Sequence, residues 1–402
     1  MPVEILIVDD DPMVGNLSME VLKDSGFSAE LVTDSRMAMA AVKDRKPRLV
    51  MLDILMPGID GLSLLHQIKS DPQTAQTKVA VVSAKSFKAE VDRAKSYGAD
   101  LFIKKPYDLK EFPKQIKALI GEPQGVAAAQ KTTVRVRAYG KREPDSTPCL
   151  CAEAMGRLFI LDASKGAAAL GADVLKEGRH KEAWLLISHF HPDHVSGLGT
   201  LPLLRQEGFH LHIIGPSEPE KKITVLLKEA IAKSMGADKR PIKAKIQVHE
   251  VREESYELAQ GLRVSPFYAN HPSTTFGYVV EFGGRRIVYC PDTELYGEAA
   301  TALQDYDEKT GRIIRACDLL IHDGRWTDAD YAQHRNEGHS SVVVAAEFAA
   351  DNEVRNLLLI HADPSYPDSV LDAMEADARA ALEAKGAMIP CAVVRDGLTL
   401  EI

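Results

Sequence analysis

The first 120 residues alternate short apolar runs with segments in which apolar positions recur every three to four residues. The runs at 3–8, 28–33, 48–52, 79–83 and 101–103 predict strands. The segments at 12–25, 35–46, 62–69, 89–97 and 109–120 predict helices, because their apolar residues fall on one face of a 3.6-residue repeat. Asp11 is placed to cap the first helix and Pro12 to open it, where an amide has no helical partner to lose. Near-continuous apolar strands separated by helices imply a parallel sheet covered on both faces. The expectation is an α/β, doubly wound five-stranded parallel sheet over residues 1–120.

Gly121-Glu122-Pro123-Gln124-Gly125 stops the last helix, so 121–131 reads as a linker. From 132 to 402 the pattern changes. Residues 133–139 alternate, and apolar runs lie at 157–162, 183–187, 210–214, 264–269 and 357–360. Residues 276–282 and 285–289 predict a hairpin turning at Gly283-Gly284. Helices are expected at 197–208, at 219–234 as a lid, and in an Ala-rich stretch running to Ala350.

Composition narrows the class. A chain of 402 residues suggests two or three domains. With 45% hydrophobic and 27% charged residues it is an ordinary globular chain. No apolar run approaches the ~18–20 residues of a membrane span. Met1-Pro2-Val3-Glu4 leads straight into a strand without a basic start or hydrophobic signal, so a cytoplasmic location is expected. The net charge of −9 argues against general DNA binding and leaves only a local basic patch open. Five scattered cysteines do not make a disulfide framework, and Cys149-Leu150-Cys151 places two thiols on one face of a strand.

Ligands of doubly wound sheets sit beyond the carboxyl ends of the strands. Asp9 and Asp10 follow the first strand, Asp53 the third, Ser83 ends the fourth and Lys105 follows the fifth. Converging carboxylates repel one another unless a hard cation joins them, and Mg²⁺ suits oxygen ligands. A carboxylate beside Mg²⁺ can take up a phosphoryl group as an acyl phosphate. Lys105 and the Ser83 hydroxyl would then meet the phosphoryl oxygens. These residues, with Asp53-Ile54-Leu55-Met56-Pro57-Gly58-Ile59-Asp60-Gly61, Ser83-Ala84-Lys85 and Lys105-Pro106-Tyr107, resemble the receiver domain of two-component response regulators. The resemblance implies Asp53 as phospho-acceptor. It implies Mg²⁺ held by Asp10, Asp53 and the Leu55 carbonyl, with Asp9 assisting through water. It implies Ser83 and Phe102 as switch positions, and a sensor histidine kinase or phosphotransfer protein as partner.

The second region centres on Ser188-His189-Phe190-His191-Pro192-Asp193-His194, directly after an apolar strand. Three of the chain's 13 histidines and one aspartate crowd this loop. Imidazole nitrogen and carboxylate oxygen suit zinc, manganese or iron. His189 and His191, two apart in an extended turn, can face one metal, and Asp193 and His194 a second. His271, Asp292 and His361 each stand just beyond a later strand.

This H-x-H-x-D-H pattern resembles metallo-β-lactamase-fold hydrolases. It is most similar to their phosphodiesterase branch of tRNA 3′-processing and cyclic-phosphate enzymes. The resemblance implies an α+β, αββα sandwich over 132–402 with two divalent transition metals, zinc first and manganese or iron as alternatives. It implies His189, His191 and His271 on one metal, Asp193, His194 and His361 on the other, and Asp292 bridging. It implies a supporting rather than ligating role for Asp162. Two close cations lower the pKa of a shared water and polarise the electrophile. A phosphodiester also needs its leaving alkoxide protonated, and His339 in Gly338-His339-Ser340-Ser341 is the candidate acid by the same resemblance. No Gly/Pro-rich tRNA-clamping arm is recognisable, which favours a small phosphodiester or cyclic nucleotide over tRNA.

The combined expectation is a phosphorylation-regulated response regulator whose output is a two-metal phosphodiesterase, with no membrane attachment and a homodimer allowed. The rivals are a lactone or thioester hydrolase and a non-hydrolytic metal-binding sensor or interaction module.

Overall fold

The computed structural model describes residues 3–83, 88–105, 107–108, 111–122, 132–143, 146–236, 240–296 and 304–402. Most of the expected linker, 123–131, lies outside the described residues, as do Ala84, Lys85, Pro106 and the first two positions of the helix expected at 109–120. The chain divides into two compact units, 1–130 and 131–402.

The first unit runs β1 (Ile5–Val8), α1 (Pro12–Asp24), β2 (Ala29–Val32), α2 (Ser35–Arg45), β3 (Leu49–Asp53), α3 (Gly61–Ser70), β4 (Lys78–Ser83), α4 (Lys88–Ser96), β5 (Leu101–Lys104) and α5 (Phe112–Ile120). The sheet order is β2-β1-β3-β4-β5, all parallel. The central strands are apolar on both faces because both are covered. Val50, Leu52, Val79 and Val81 pack on one side, and Leu49, Met51, Ala80 and Val82 on the other. Gly61 opens α3 against the backbone of Asp53: a Cβ there would lie 2.0 Å from the Asp53 carbonyl oxygen. The glycine thus lets the helix start directly beneath the loop that follows β3.

The second unit begins with β6 (Arg135–Tyr139), β7 (Cys149–Ala154), β8 (Arg157–Leu161), α6 (Ala167–Glu177), β9 (Glu182–Leu186), the single-turn α7 (Pro192–Val195), β10 (His210–Gly215), α8 (Ile223–Met235) and β11 (Lys245–Glu250). It continues with β12 (Tyr256–Ala259), β13 (Leu262–Tyr268), β14 (Phe276–Phe282), β15 (Arg285–Cys290), α9 (Gln304–Ile314), β16 (Leu319–Asp323), α10 (Asp328–Tyr331), α11 (Val342–Asp351), β17 (Leu357–Ile360), α12 (Asp368–Ala384), β18 (Cys391–Val393) and β19 (Thr399–Glu401). Two seven-stranded sheets form, β11-β10-β9-β8-β7-β6-β19 and β12-β13-β14-β15-β16-β17-β18. Phe159, Trp184, Tyr278, Phe282 and Tyr289 fill the space between them. Leu170 and Val174 of α6 and Ile223 and Leu227 of α8 cover the outer face of the first sheet. Ala345 and Ala349 of α11 and Leu371 and Met374 of α12 cover the second. The result is the expected αββα sandwich.

Two elements differ from expectation. Residues 197–208 form two 3₁₀ turns, Leu198–Thr200 and Pro202–Arg205, instead of one helix. Pro202 lacks the amide a continuous helix would use. The segment expected as a lid forms α8, which buries Ile223, Leu226 and Leu227. It is anchored by the Gly199 amide donating to Ser234 Oγ (2.7 Å). It is therefore a layer helix on the outer sheet face. No helix among the described residues is long and apolar enough to cross a membrane.

Candidate functional sites

In the first unit the loops after β1, β3 and β5 bring Asp9, Asp10, Asp53 and Lys105 together. Ligand oxygens of Asp9, Asp10 and Asp53 lie within 4.8 Å of one another. Lys105 Nζ donates to Asp53 Oδ2 (2.6 Å) and Asp9 Oδ2 (2.8 Å). Burial raises the Asp9 pKa, and Lys105 opposes that only in part. Burial disfavours the charged Lys105, but Asp53 and Asp9 outweigh it and the net shift is upward. The cluster thus holds more negative charge than one ammonium offsets, which suits an added cation. Ser83 is fully buried at the end of β4, next in the sheet to β3, and Phe102 is half-buried on β5.

In the second unit, loop 188–194 leaves β9 at the edge where β13, β15, β16 and β17 also end. Pro192 opens α7 and places Asp193 and His194 at successive helical positions. His189, His191, His271 and Asp292 gather their ligand atoms within 4.8 Å, and so do Asp193, His194 and His361. Asp292 faces both groups. Its Oδ2 lies 3.5 Å from His189 Nε2 and 3.6 Å from His271 Nε2. Its Oδ1 lies 3.1 Å from His194 Nε2 and 3.5 Å from His361 Nε2. Asp193 Oδ2 is 2.9 Å from His361 Nε2.

These atoms fit metal ions. His189 Nε2, His194 Nε2 and Asp292 Oδ1 are buried and have no hydrogen-bond partner among the described residues. Buried polar atoms are rarely left so. Burial lowers the pKa of His189, His191 and His271, the last to about 4, leaving their nitrogens free to ligate at neutral pH. Burial opposes the charge on Asp193 and Asp292, but the surrounding histidines outweigh it and both pKa values fall. At His194 the balance is reversed: burial is overcome by Asp292, Asp193 and Asp162, and its pKa rises. The spot favours positive charge.

Below the loop sits Asp162, buried just after β8 with φ +56°. It accepts from the Ser188 amide (2.7 Å), Ser188 Oγ (2.7 Å), the Tyr289 hydroxyl (2.6 Å) and His194 Nδ1 (2.7 Å). The bond to Nδ1 turns His194 Nε2 toward Asp292, the usual service of an outer carboxylate to a ligating imidazole.

His339 lies beside both groups. Its ring centroid is 4.8 Å from that of His361 and 5.4 Å from that of His271. Nδ1 is 2.7 Å from Asp323 Oδ2. Asp323 also accepts from the amides of Thr293, Arg325 and Ser340. Burial lowers the His339 pKa, but the charge and hydrogen bond of Asp323 more than reverse this, so its net shift is upward.

Sequence reasoning missed three residues here. Asp323, the last residue of β16, orients His339. Glu294 is buried and accepts from the Tyr331 hydroxyl and the amides of Asn336 and Gly338, fixing the loop before His339. Arg325 reaches His361 Nδ1 and Asp363 Oδ2, both at 3.1 Å. Only the position of Asp323 at a strand's carboxyl end signalled any of them.

Comparison with known proteins bears on the fold of each unit. The family model described as "Beta-lactamase superfamily domain" matches residues 157–362, just over half of the chain. The chain belongs to the β-lactamase superfamily. The model described as "Response regulator receiver domain" matches residues 5–117, so this superfamily member carries a receiver domain ahead of its metallo-β-lactamase-fold domain. The receiver part is 34% identical over 120 residues to "Response regulator MprA" of Mycolicibacterium vanbaalenii, covering 30% of this chain and 51% of that protein. It is 31% identical over 114 residues to "DNA-binding response regulator MtrA" of Mycolicibacterium smegmatis, covering 28% and 49%. The chain thus spans about half the length of these curated relatives. The metallo-β-lactamase-fold protein YhfI from Bacillus subtilis superposes with a TM-score of 0.50 at 18% identity, covering 67% of this chain and all of that one. That likeness is one of fold. The superfamily fold implies divalent metal binding.

Proposed function

We propose that the chain is a phosphorylation-regulated phosphodiesterase acting on a small phosphodiester or cyclic nucleotide. The observation that carries this reading is the buried His339–Asp323 pair standing beside the two ligand groups. His189, His191 and His271 would hold one divalent ion, Asp193, His194 and His361 the other, with Asp292 shared. Zinc fits this donor set first, and manganese or iron next. Such ions supply Lewis acidity and an activated water.

The chain's own residues do the rest. Asp162 fixes Ser188 and His194. Asp323 holds His339 so that its protonated form is favoured, and His339 gives a proton to the departing alkoxide. Arg325, a cation touching His361, suits an anionic substrate over a neutral ester.

In the receiver domain, Asp53 takes a phosphoryl group from a phosphohistidine or acyl-phosphate donor, whose imidazole or carboxylate departs, and Asp9, Asp10 and Asp53 would hold the Mg²⁺ that neutralises the charge. Lys105 moves its ion pair to the phosphoryl oxygens, and Ser83 and Phe102 respond. Turnover or self-association of the full chain then changes.

The test is a substrate panel on the full-length protein loaded with zinc or manganese: an aryl phosphodiester, cyclic nucleotides, a short RNA, a lactone and a thioester. Cleavage of the diester or a cyclic nucleotide is expected. Cleavage of the lactone or thioester alone would replace this reading with the neutral-ester one.

A further inference from the structure

A second set of metal-type ligands lies at the other end of the first sheet, outside the site described above. Glu182 opens β9, His210 and His212 lie two apart on β10, and His249 is on β11. The parallel register pairs His210 with Glu182 and His212 with Trp184. It pairs Ile214 with His249. All four polar residues therefore share the face that carries Trp184 and Ile214. Glu182 precedes Leu186, the last residue of β9, by four positions, or about 13 Å of strand.

The geometry points to a divalent-metal site formed by Glu182, His210 and His212, with His249 as the outer partner. Ligand atoms of the three lie within 4.8 Å of one another. Glu182 Oε1 is 2.9 Å from His212 Nε2 and 3.4 Å from His210 Nδ1. A tetrahedral ion with bonds of about 2.0–2.1 Å spaces its ligands by roughly 3.3 Å, so one face of such a polyhedron is nearly formed.

His212 has the surroundings of a ligating imidazole. Its Nδ1 is 3.0 Å from His249 Nε2, so an Nδ1–H can donate there while Nε2 turns to the ion. Trp184 stacks on its ring at 3.9 Å and 14°, fixing the plane. His210 Nε2 is buried without a hydrogen-bond partner among the described residues. A half-turn of that ring offers either nitrogen to the ion. Glu182 is half exposed, which gives an ion a route in and leaves a coordination position to water. Two imidazoles and a carboxylate suit zinc, cobalt or copper better than magnesium or calcium. The ion would tie β9 to β10.

Cobalt titration of the full-length chain in a Trp326→Phe background tests this, because Trp184 is then the only tryptophan. Saturable quenching of Trp184 fluorescence is expected, at least about tenfold weaker in Glu182→Gln and in His210→Ala. Zinc content by elemental analysis should fall by one equivalent in each variant. Glu182→Gln, at a half-exposed carboxylate, guards against a folding defect. Equal quenching and equal zinc content in wild type and both variants would overturn the assignment.

Discussion

Replacing His339 with alanine separates an acid from a ligand or a prop. The substitution removes one of four donors to Asp323. The amides of Thr293 (3.2 Å), Arg325 (2.9 Å) and Ser340 (3.2 Å) remain, so the buried carboxylate stays satisfied and the loop keeps its shape. The cost should therefore appear in chemistry. General acid catalysis contributes about 10²–10⁴-fold, or roughly 3–5 kcal/mol of barrier. That loss is expected in kcat for a diester with an alkyl leaving group. A nitrophenyl ester leaves as a stable anion and needs no proton, so its kcat should fall by less than about tenfold. The assay is kcat for two diesters differing only in leaving group, with metal content measured on the same samples. An equal loss on both esters, or a loss of metal, would refute the assignment and make His339 a ligand or a structural residue.

Other residues give further tests. Asp162→Ala strands the Ser188 amide, the Tyr289 hydroxyl and His194 Nδ1, at about 1–3 kcal/mol each, and places alanine at φ +56°. A clear drop in thermal midpoint is expected, with a smaller one for Asp162→Asn, which tolerates that conformation; an unchanged midpoint in the alanine variant would contradict the role given to Asp162. Asp53→Asn should abolish labelling by a small acyl-phosphate donor and remove any response of turnover or association to it, whereas persistent labelling would place the acceptor elsewhere. Gly61→Ala forces a Cβ to 2.0 Å from the Asp53 carbonyl, so slower labelling and a destabilised receiver are expected while zinc content stays constant. Normal labelling kinetics in that variant would show that the β3 loop adjusts freely.

Much of this was legible in the sequence because metal sites in such sheets sit where strands end, and strand ends are visible as the ends of apolar runs. His189, His191, Asp193 and His194 follow one such run within six residues. His271, Asp292 and His361 each follow another. The acidic triad and Lys105 were readable for the same reason. Roles made by tertiary packing were less visible. Glu294 and Asp323 act on His339 across 45 and 16 residues, a spacing with no local signature. The cluster of Glu182, His210, His212 and His249 depends on the register between three strands. The 197–208 segment failed as a helix because its apolar positions serve packing beneath α8, where a Cβ on Gly199 would lie 2.5 Å from the Ile231 carbonyl oxygen.

The central claim is that the two ligand groups run phosphodiester hydrolysis. It is tested most directly by turnover of an aryl phosphodiester by the zinc-loaded full-length chain beside Asp193→Ala. The account expects metal-dependent cleavage in the wild type, abolished by chelation and restored by zinc or manganese. In Asp193→Ala, which loses one ligand of the second group, cleavage should fall by at least about 10²-fold. Full metal occupancy without cleavage, before and after treatment with an acyl-phosphate donor, would contradict it.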